Sequence, residues 1–265
     1  MTRSRIDVIL VDRGFFPSRE QAKAALLAGE VRVAEQVVTK AGQLVDESAP
    51  IVVAERQRFV SRGGDKLSGA LDTFGMGVRG LRVVDVGAST GGFTDCVLQR
   101  GASSVCAIDV GYGQLAWSLR SDPRVSVLER TNVRSIVAVD IGAPFDLAVV
   151  DVSFISLRKV VPDLLSLVDG ESGQVVALVK PQFEAGKGRV GKRGVVRDPA
   201  IHQEVLESTA SAFSEAGMVV RGLTFSPIKG PEGNIEFWMW TSRHGPSAVE
   251  SAETVVESAH ATLGG

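Results

Sequence analysis

The sequence predicts an α/β protein in which a mostly parallel β-sheet is covered by helices on both faces, with a small α+β module before it. From residue 81 onward, apolar segments of strand length alternate with amphipathic segments of helix length. Two of these strands, within 145–154 and 174–183, contain long apolar runs, which are typical of parallel strands buried on both faces. Residues 1–55 follow a different pattern of two helices and several short strands.

Composition limits the possible functions. The 265 residues are 44% hydrophobic, enough for one large core and a small one, and the formal charge is −2, so a nucleic-acid surface must come from local clusters of cations. The two cysteines and three histidines are scattered, so we expect no metal site and no disulfide framework. The sequence shows neither a signal peptide nor a membrane-spanning stretch of about 18 to 20 apolar residues, so a cytoplasmic protein is predicted.

The amino-terminal module begins with two predicted helices. The first carries Ile6, Ile9 and Leu10 on one face, and the second starts at Ser18, which forms a capping box with Gln21. Short strands follow in the rest of the module. The pattern SRxxAxxxLLxGxV, which begins at Ser18, resembles the S4-like RNA-binding domain, whose paired helices present cations to phosphates.

Cations are concentrated in the helical part of this module. The candidates for contact with RNA are Arg3, Arg5, Arg13, Arg19 and Lys23. Several carboxylates lie among them, and a solvated helix face of mixed charge is the alternative interpretation. The order of helix, motif and strand favours phosphate binding.

A glycine-rich turn follows the first strand of the large domain. The segment VVDVGASTGGFT, 83–94, has the order strand, acidic residue, glycine-rich turn and helix, which brings a helix amino terminus and accessible backbone to a ligand. Its spacing is GxxxGG and not the GxGxxG of dinucleotide-binding folds. It resembles motif I of S-adenosylmethionine (SAM) methyltransferases, whose cofactor carries a sulfonium and an amino-acid tail that suit a carboxylate. The candidate cofactor contacts are Asp85, Gly87, Ala88, Ser89, Thr90, Gly91, Gly92 and Phe93.

Two later strand ends would complete a nucleoside site. Asp109 ends the next strand, where a carboxylate can accept hydrogen bonds from both hydroxyls of a ribose. Asn132 lies past the third strand, where a contact with adenine is expected. The alternative is a tight turn without a ligand, in which Asp109 serves as a cap.

Four charged residues are predicted to meet at the edge of the sheet where parallel strands end. Asp151 ends one apolar strand, and Lys180 ends the next, at the point where Pro181 stops it. The loop IKGPEG then reverses the chain, so the last strand runs antiparallel and Glu236 lies near its start. Lys66, in a helix before the first strand, can fold over the same edge. A plain ion pair between Asp151 and Lys180 is the alternative.

These elements, in this order, resemble the FtsJ-like 2′-O-ribose methyltransferases. The set RFVSRGGDKLSGAL, DVGASTGGFTD, DVGYGQLAW, DVSFISL, KPQFEAGKG and GNIEF closely resembles the TlyA subfamily, once labelled hemolysins. The resemblance implies a Rossmann-like SAM-dependent methyltransferase domain after an S4-like domain. It further implies methylation of cytidine 2′-hydroxyls in ribosomal RNA of both subunits, with SAM as cofactor, ribosomal RNA within subunits as partner, and no metal. A monomer is expected.

The resemblance also implies the roles of the four charged residues. Lys66, Asp151, Lys180 and Glu236 would form the catalytic set, and Asp151 would in addition contact the cofactor. Lys180 is expected to act in its neutral form as base or hydrogen-bond acceptor for the 2′-hydroxyl, a form that burial or the second ammonium of Lys66 would favour. Asp151 and Glu236 would orient the lysines, and Lys66 would stabilise negative charge that develops on the hydroxyl oxygen.

A basic, glycine-rich segment at 180–197 is a second candidate surface for RNA. It is expected to close over the substrate backbone, and a solvated loop is the alternative. Its candidate contacts are Lys187, Arg189, Lys192 and Arg193. Arg62, which precedes the first strand of the large sheet, is a further candidate.

The predicted boundaries are 1–55 for the S4-like domain, 56–62 for a linker that contains RQRF, 63–245 for the methyltransferase domain and 246–265 for a terminal tail with an amphipathic helix. Three other functions remain open: a membrane-active hemolysin, a non-catalytic RNA-binding factor, and a methyltransferase with another acceptor. The segment DVSF lacks the Pro-Pro-aromatic sequence of enzymes that methylate exocyclic amines, which favours an oxygen acceptor.

Overall fold

The computed structural model describes residues 2–54, 58–186, 188–247 and 250–264. The chain divides into two compact units, Met1–Gln57 and Arg58–Gly265. Each unit has its own buried apolar cluster.

The amino-terminal unit packs two helices on short strands. Its elements are β1 (Arg3–Arg5), α1 (Ile6–Asp12), α2 (Arg19–Leu27), β2 (Val31–Val33), β3 (Gln36–Val37), β4 (Leu44–Asp46) and β5 (Ile51–Val53). The strands β3, β2 and β5 form an antiparallel sheet in that order, and β1 pairs with β4. Ser18 caps α2 by accepting a hydrogen bond from the Gln21 backbone N–H at 3.3 Å, as predicted. The β1–β4 pair was not predicted.

The larger unit is built on a seven-stranded sheet. Its strands are β6 (Arg82–Val86), β7 (Ser104–Ile108), β8 (Val125–Leu128), β9 (Leu147–Val150), β10 (Gln174–Val179), β11 (Val219–Phe225) and β12 (Phe237–Ser242). Their order is β11-β12-β10-β9-β6-β7-β8, and β12 runs antiparallel to both of its neighbours. The predicted parallel sheet with one antiparallel strand is therefore confirmed.

Helices cover both faces of this sheet. They are α3 (Arg62–Thr73), α4 (Gly92–Gln99), α5 (Trp117–Arg120), α6 (Val161–Leu167), α7 (Pro181–Glu184), α8 (Pro199–Glu215) and α9 (Ala252–Leu263). Alternate residues of β10 serve the two faces: Val175 and Val179 join the cluster under α6, α8 and α9, and Val176 and Leu178 join the cluster under α3 and α4. A strand buried on both faces has to be apolar at every position, which explains the uninterrupted run in the sequence.

The boundaries of several predicted segments differ in the structure. Residues 58–60 are not a free connection: Phe59 is buried, the Val60 N–H donates to Asp95 at 2.9 Å, and Gln99 donates to the Arg58 carbonyl. Of the other predicted linker positions, Arg56 and Gln57 lie outside the described residues, while Ser61 precedes α3 and Arg62 begins it. Helix α9 is present where the tail was predicted to be helical, and its apolar face belongs to the core of the larger unit. Helix α5, which follows β7, is only one turn long.

Neither a membrane-crossing helix nor a metal cluster is found in the described part of the chain. No helix there has both the length and the apolar character needed to cross a membrane. Within the same ranges, no group of three or more histidine, cysteine, aspartate or glutamate side chains is placed to hold a metal ion.

Candidate functional site

The carboxyl ends of the parallel strands line a cavity of about 660 Å³. Residues after β6, β7, β8, β9 and β10 form its wall, which is where ligands bind in open α/β sheets. A smaller cavity of about 200 Å³ adjoins it, and Gly87, Ser89 and Asp151 line both. Lys66 and Arg62, from the first turns of α3, line the smaller cavity.

The turn after β6 depends on glycine at two places for different reasons. Gly87 has φ +91°, and a Cβ there would lie 2.3 Å from the Asp151 carbonyl oxygen, so only glycine lets the ends of β6 and β9 approach. Gly91 has φ +95°, but its open side is filled by Leu119 and Leu115 and does not face a cavity. The prediction that all three glycines open the backbone to a ligand is therefore wrong for Gly91. Gly92 lines the smaller cavity. A Cβ at this position would lie 2.3 Å from Ser61 Oγ, so Gly92 also allows close packing against Ser61.

Asp85 is placed beneath the turn and not on the cavity wall. Its side chain is fully buried, and Oδ2 accepts hydrogen bonds from the Thr94 N–H at 2.9 Å and the Thr94 hydroxyl at 2.6 Å. Its Oδ1 has no partner among the residues that the structure describes. Burial raises the pKa of this carboxyl to about 7, because no nearby cation offsets its desolvation, although the two bonds from Thr94 act in the opposite direction. The predicted direct cofactor contact is replaced by a role in fixing α4 under the turn.

Asp109 and Asn132 do reach the larger cavity. The Asp109 carboxylate accepts hydrogen bonds from the Ser89 N–H at 2.7 Å and the Gly111 N–H at 2.6 Å, so it joins the β6 turn to the loop after β7. Asn132 accepts from the Arg134 N–H at 3.1 Å and begins a short 3₁₀ turn. Asn132 thus caps a short turn and Asp109 links two loops, while both face the cavity, and their contact with a cofactor stays a prediction.

The four charged residues form two lysine–carboxylate pairs at the same edge. Lys180 Nζ lies 2.5 Å from Asp151 Oδ1 and donates a hydrogen bond to Ser153 Oγ at 2.9 Å. Lys66 Nζ lies 2.6 Å from Glu236 Oε2, and Glu236 is almost completely buried. The register of β10 with β12 places Val179 opposite Phe237, so the residues next to them, Lys180 and Glu236, are neighbours at the edge. Each lysine therefore has its own carboxylate partner.

Three aromatic or polar side chains near Lys180 were not predicted as site residues. Phe154 has φ +64°, is 92% exposed and lines the larger cavity. Its ring centroid lies 5.1 Å from that of Phe183. Glu184 is buried and accepts hydrogen bonds from the Ser156 hydroxyl and the Leu157 N–H, both at 2.6 Å. The motifs DVSF and KPQFE contained these residues, but nothing in their spacing showed that the two segments touch.

The predicted RNA contacts of the amino-terminal unit divide into anchored and unanchored cations. Arg5 and Arg19 both bind the buried carboxylate of Asp7, at 3.0 Å and 2.7 Å, and each remains about half exposed. These bonds, with that of Arg5 the largest influence, lower the pKa of Asp7 to about 2. Arg13 donates to the carbonyls of residues 47 and 49 and therefore braces the unit. Arg3 and Lys23 are exposed.

The cations of the larger unit are also only partly available. Arg62 lines the smaller cavity, and Arg189 forms a double hydrogen bond with Glu204 at 2.6 Å. Arg193 is exposed and has φ +62°. Lys187 lies outside the described residues, and for Lys192 the description covers the backbone, in a short 3₁₀ turn, but not the side chain.

The sheet, the β6 turn and the paired charges at the strand ends define a methyltransferase of the Rossmann-like class. The family pattern described as FtsJ-like methyltransferase matches residues 59–243, and the S4 domain pattern matches residues 4–51. The chain therefore belongs to the FtsJ-like methyltransferase family and carries an S4 domain, as the sequence predicts.

Relatives match over nearly the whole chain. The 16S/23S rRNA (cytidine-2′-O)-methyltransferase TlyA of Mycobacterium tuberculosis is 46% identical over 263 residues, which cover 98% of this chain and 97% of the relative. Hemolysin A of Brachyspira hyodysenteriae is 38% identical over 234 residues, covering 88% and 97%. A solved structure from Streptococcus thermophilus, described as a candidate hemolysin, has a TM-score of 0.75 at 42% identity and covers 100% of this chain and 98% of its own.

Proposed function

We propose that this protein transfers the methyl group of SAM to the 2′-hydroxyl of a cytidine in ribosomal RNA. The observation that carries the proposal is the presence of two ion pairs at the strand ends: Lys180–Asp151 lines the larger cavity, and Lys66, paired with Glu236, lines the smaller cavity beside it. The relative from Mycobacterium tuberculosis, matched over 98% of this chain, is named for this reaction on 16S and 23S rRNA. Such a substrate would be met in the cytoplasm.

The larger cavity has the side chains that SAM requires. Its volume of about 660 Å³ lies in the range of small-molecule sites. Asp109 presents a carboxylate for the ribose hydroxyls, Asn132 presents an amide for the adenine, and Gly87 lines the cavity between them and Asp151. When bound, SAM would supply an electrophilic methyl group on a sulfonium.

Lys180, Asp151 and Ser153 would handle the nucleophile. A ribose hydroxyl placed against Lys180 and Ser153 would form a C–O bond to the methyl carbon. The S–C bond would break at the same time, and its electron pair would stay on sulfur. The hydroxyl proton becomes acidic as the bond forms. Because an ammonium has no lone pair, the acceptor within the Lys180–Asp151 ion pair would be the Asp151 carboxylate, which passes the proton to solvent. The short contact to Asp151 holds the amine in one position, so orientation of the hydroxyl is the larger part of its contribution.

Lys66 and Glu236 would form the opposite wall of the nucleophile site. Lys66 lines the smaller cavity together with Asp151, so its ammonium faces the same space. Glu236 is buried and binds Lys66 at 2.6 Å, which fixes the direction of the ammonium. A positioned cation there stabilises the partial negative charge of the attacking oxygen.

Phe154 and Phe183 would hold the base of the target nucleotide. An aromatic side chain that is 92% exposed next to a catalytic cavity is a suitable surface for base stacking, because unpaired bases bind proteins largely through their faces. The anchored Arg5 and Arg19 of the S4 domain are suited to phosphates, since their guanidinium groups are fixed and half exposed. The S4 domain thus supplies affinity and the larger unit supplies the reacting groups.

The test is to incubate the purified protein with SAM and ribosomal subunits that lack the modification and to map modified nucleosides by mass spectrometry. We expect one methyl group per target, on the ribose of a cytidine. Methylation of a base, or of protein, would assign another acceptor. No methylation of subunits or free rRNA, with SAM and RNA both bound, would leave an RNA-binding factor as the function.

A further inference from the structure

The carboxylate of Glu184 joins two segments that both carry site residues. It is 5% exposed, and its two oxygens accept from the Ser156 hydroxyl and the Leu157 N–H, each at 2.6 Å. Arg158 adds a contact of 3.5 Å to the same carboxylate and donates to the Glu184 carbonyl at 3.2 Å. Glu184 therefore ties α7, which follows Lys180 directly, to the segment that follows Asp151.

Both segments contribute to one cluster around Lys180. The segment 151–155 supplies Asp151, Ser153 and Phe154, and the segment 180–184 supplies Lys180 and Phe183. The contacts across the two segments are the ion pair at 2.5 Å, the Lys180–Ser153 hydrogen bond at 2.9 Å and the aromatic pair at 5.1 Å. All three require the segments to keep a fixed separation.

The segment after Asp151 packs Val152, Ile155 and Leu157 on the core, but its two site residues, Ser153 and Phe154, are not held by that packing. It lies beyond the end of β9, it is largely solvent-exposed at Ser153 and Phe154, and Phe154 adopts the left-handed conformation. A non-glycine residue keeps that conformation only where its surroundings enforce it. A buried carboxylate that accepts two short hydrogen bonds is such a constraint, since charged acceptors make the stronger bonds.

We propose that Glu184 is a positioning residue for methyl transfer, which holds the segment 152–157 so that Ser153 orients Lys180 and Phe154 faces the cavity. This inference rests on the proposed function. Glu184 touches neither the cavity nor the four charged residues, so it acts through the segment that it holds.

The experiment compares the variants E184A and E184Q with the wild type and with E207A, which changes an exposed glutamate on α8. Methyl transfer to subunits is measured at saturating SAM and RNA, SAM affinity by calorimetry, and amide hydrogen exchange by mass spectrometry. For E184A we expect kcat to fall about tenfold or more, because small misplacements of reacting groups are costly, with SAM affinity unchanged within about twofold. Exchange should increase in 152–158 and stay unchanged in β9 and β10.

The glutamine variant separates positioning from a purely structural role. Glutamine can still accept from the Leu157 N–H and can donate to the Ser156 hydroxyl, so E184Q should recover most of the lost kcat. An E184A enzyme with wild-type kcat would overturn the proposal. The proposal would also be overturned if the loss of kcat were fully explained by weaker SAM binding and a smaller fraction of folded protein. If the wild type itself transfers no methyl group, the proposed function fails, whereas the exchange data still show whether Glu184 holds the segment.

Discussion

The chemical role of a residue in this site depends more on its surroundings than on its type. Asp85 and Asp109 are both aspartates at strand ends, yet one is sealed under the β6 turn and the other lines the cavity. Burial without a cation raises the pKa of the Asp85 carboxyl to about 7, so its protonated form is far more populated near neutral pH than that of an ordinary aspartate. Two aspartates at similar places in the sequence therefore have different roles. The contribution of Asp85 to stability should depend on pH, and this dependence can be measured.

Asp85 should make the protein less stable as pH rises. Its pKa is higher in the folded state than in the unfolded chain, so its stabilisation is complete below about pH 4 and is lost as pH rises through about 7. Replacing it by neutral asparagine, D85N, should remove this dependence. Relative to the wild type, the free energy of unfolding of D85N should therefore rise by on the order of 4 kcal/mol between pH 4 and pH 8. Denaturant unfolding of both proteins across that range measures the difference, and equal pH slopes would contradict the assignment.

At the scale of elements, the site depends on two strand ends that touch. Gly87, after β6, and Asp151, after β9, approach so closely that no side chain fits between them. The β10–β12 register then adds Lys180 and Glu236 to the same edge. Helices contribute only at their first turns, through Lys66 in α3 and through α4, which is anchored by Asp85.

Substituting Gly87 should disrupt this contact. In G87A the new Cβ would lie 2.3 Å from the Asp151 carbonyl oxygen in a backbone with φ +91°, so we expect a loss of about 1 to 3 kcal/mol of stability and a weaker affinity for SAM. The matched control is G77A, where no atom lies within 4 Å and φ is not positive. Calorimetry with SAM and thermal unfolding give both quantities. If G87A matches G77A in both, the close approach is not required.

Much of the sheet edge could be predicted from the sequence, because strand ends in a parallel sheet coincide and a short hairpin fixes the direction of the last strand. That reasoning places Lys180, Asp151 and Glu236 together without any knowledge of loops. The contacts that it misses are between the short helical segments that follow the strands: Glu184 with Leu157, and Leu119 filling the space at Gly91. Such contacts depend on how these short segments pack, and the spacing of residues in the sequence carries no signal for that.

At the scale of the whole molecule, the division of labour follows the two units. The net charge is only −2, and Arg5 and Arg19, which Asp7 holds half exposed, belong to the S4 domain, whereas Arg189 of the larger unit is paired with Glu204. In the larger unit, the lysines at the sheet edge are neutralised by carboxylates, so they are suited to chemistry and not to general attraction of RNA. Phosphate binding and methyl transfer are thus expected to respond to different substitutions.

The most direct test of the central claim is the effect of K180A on turnover and on SAM affinity, with K159A, an exposed lysine of the same unit, as control. We expect kcat for methylation of ribosomal subunits to fall about 100-fold or more in K180A, because the amine that orients the hydroxyl and holds Asp151 in place is lost, while SAM affinity stays within about threefold. K159A should behave as the wild type. Turnover retained in K180A would contradict the account, and loss of SAM binding would make Lys180 a cofactor contact.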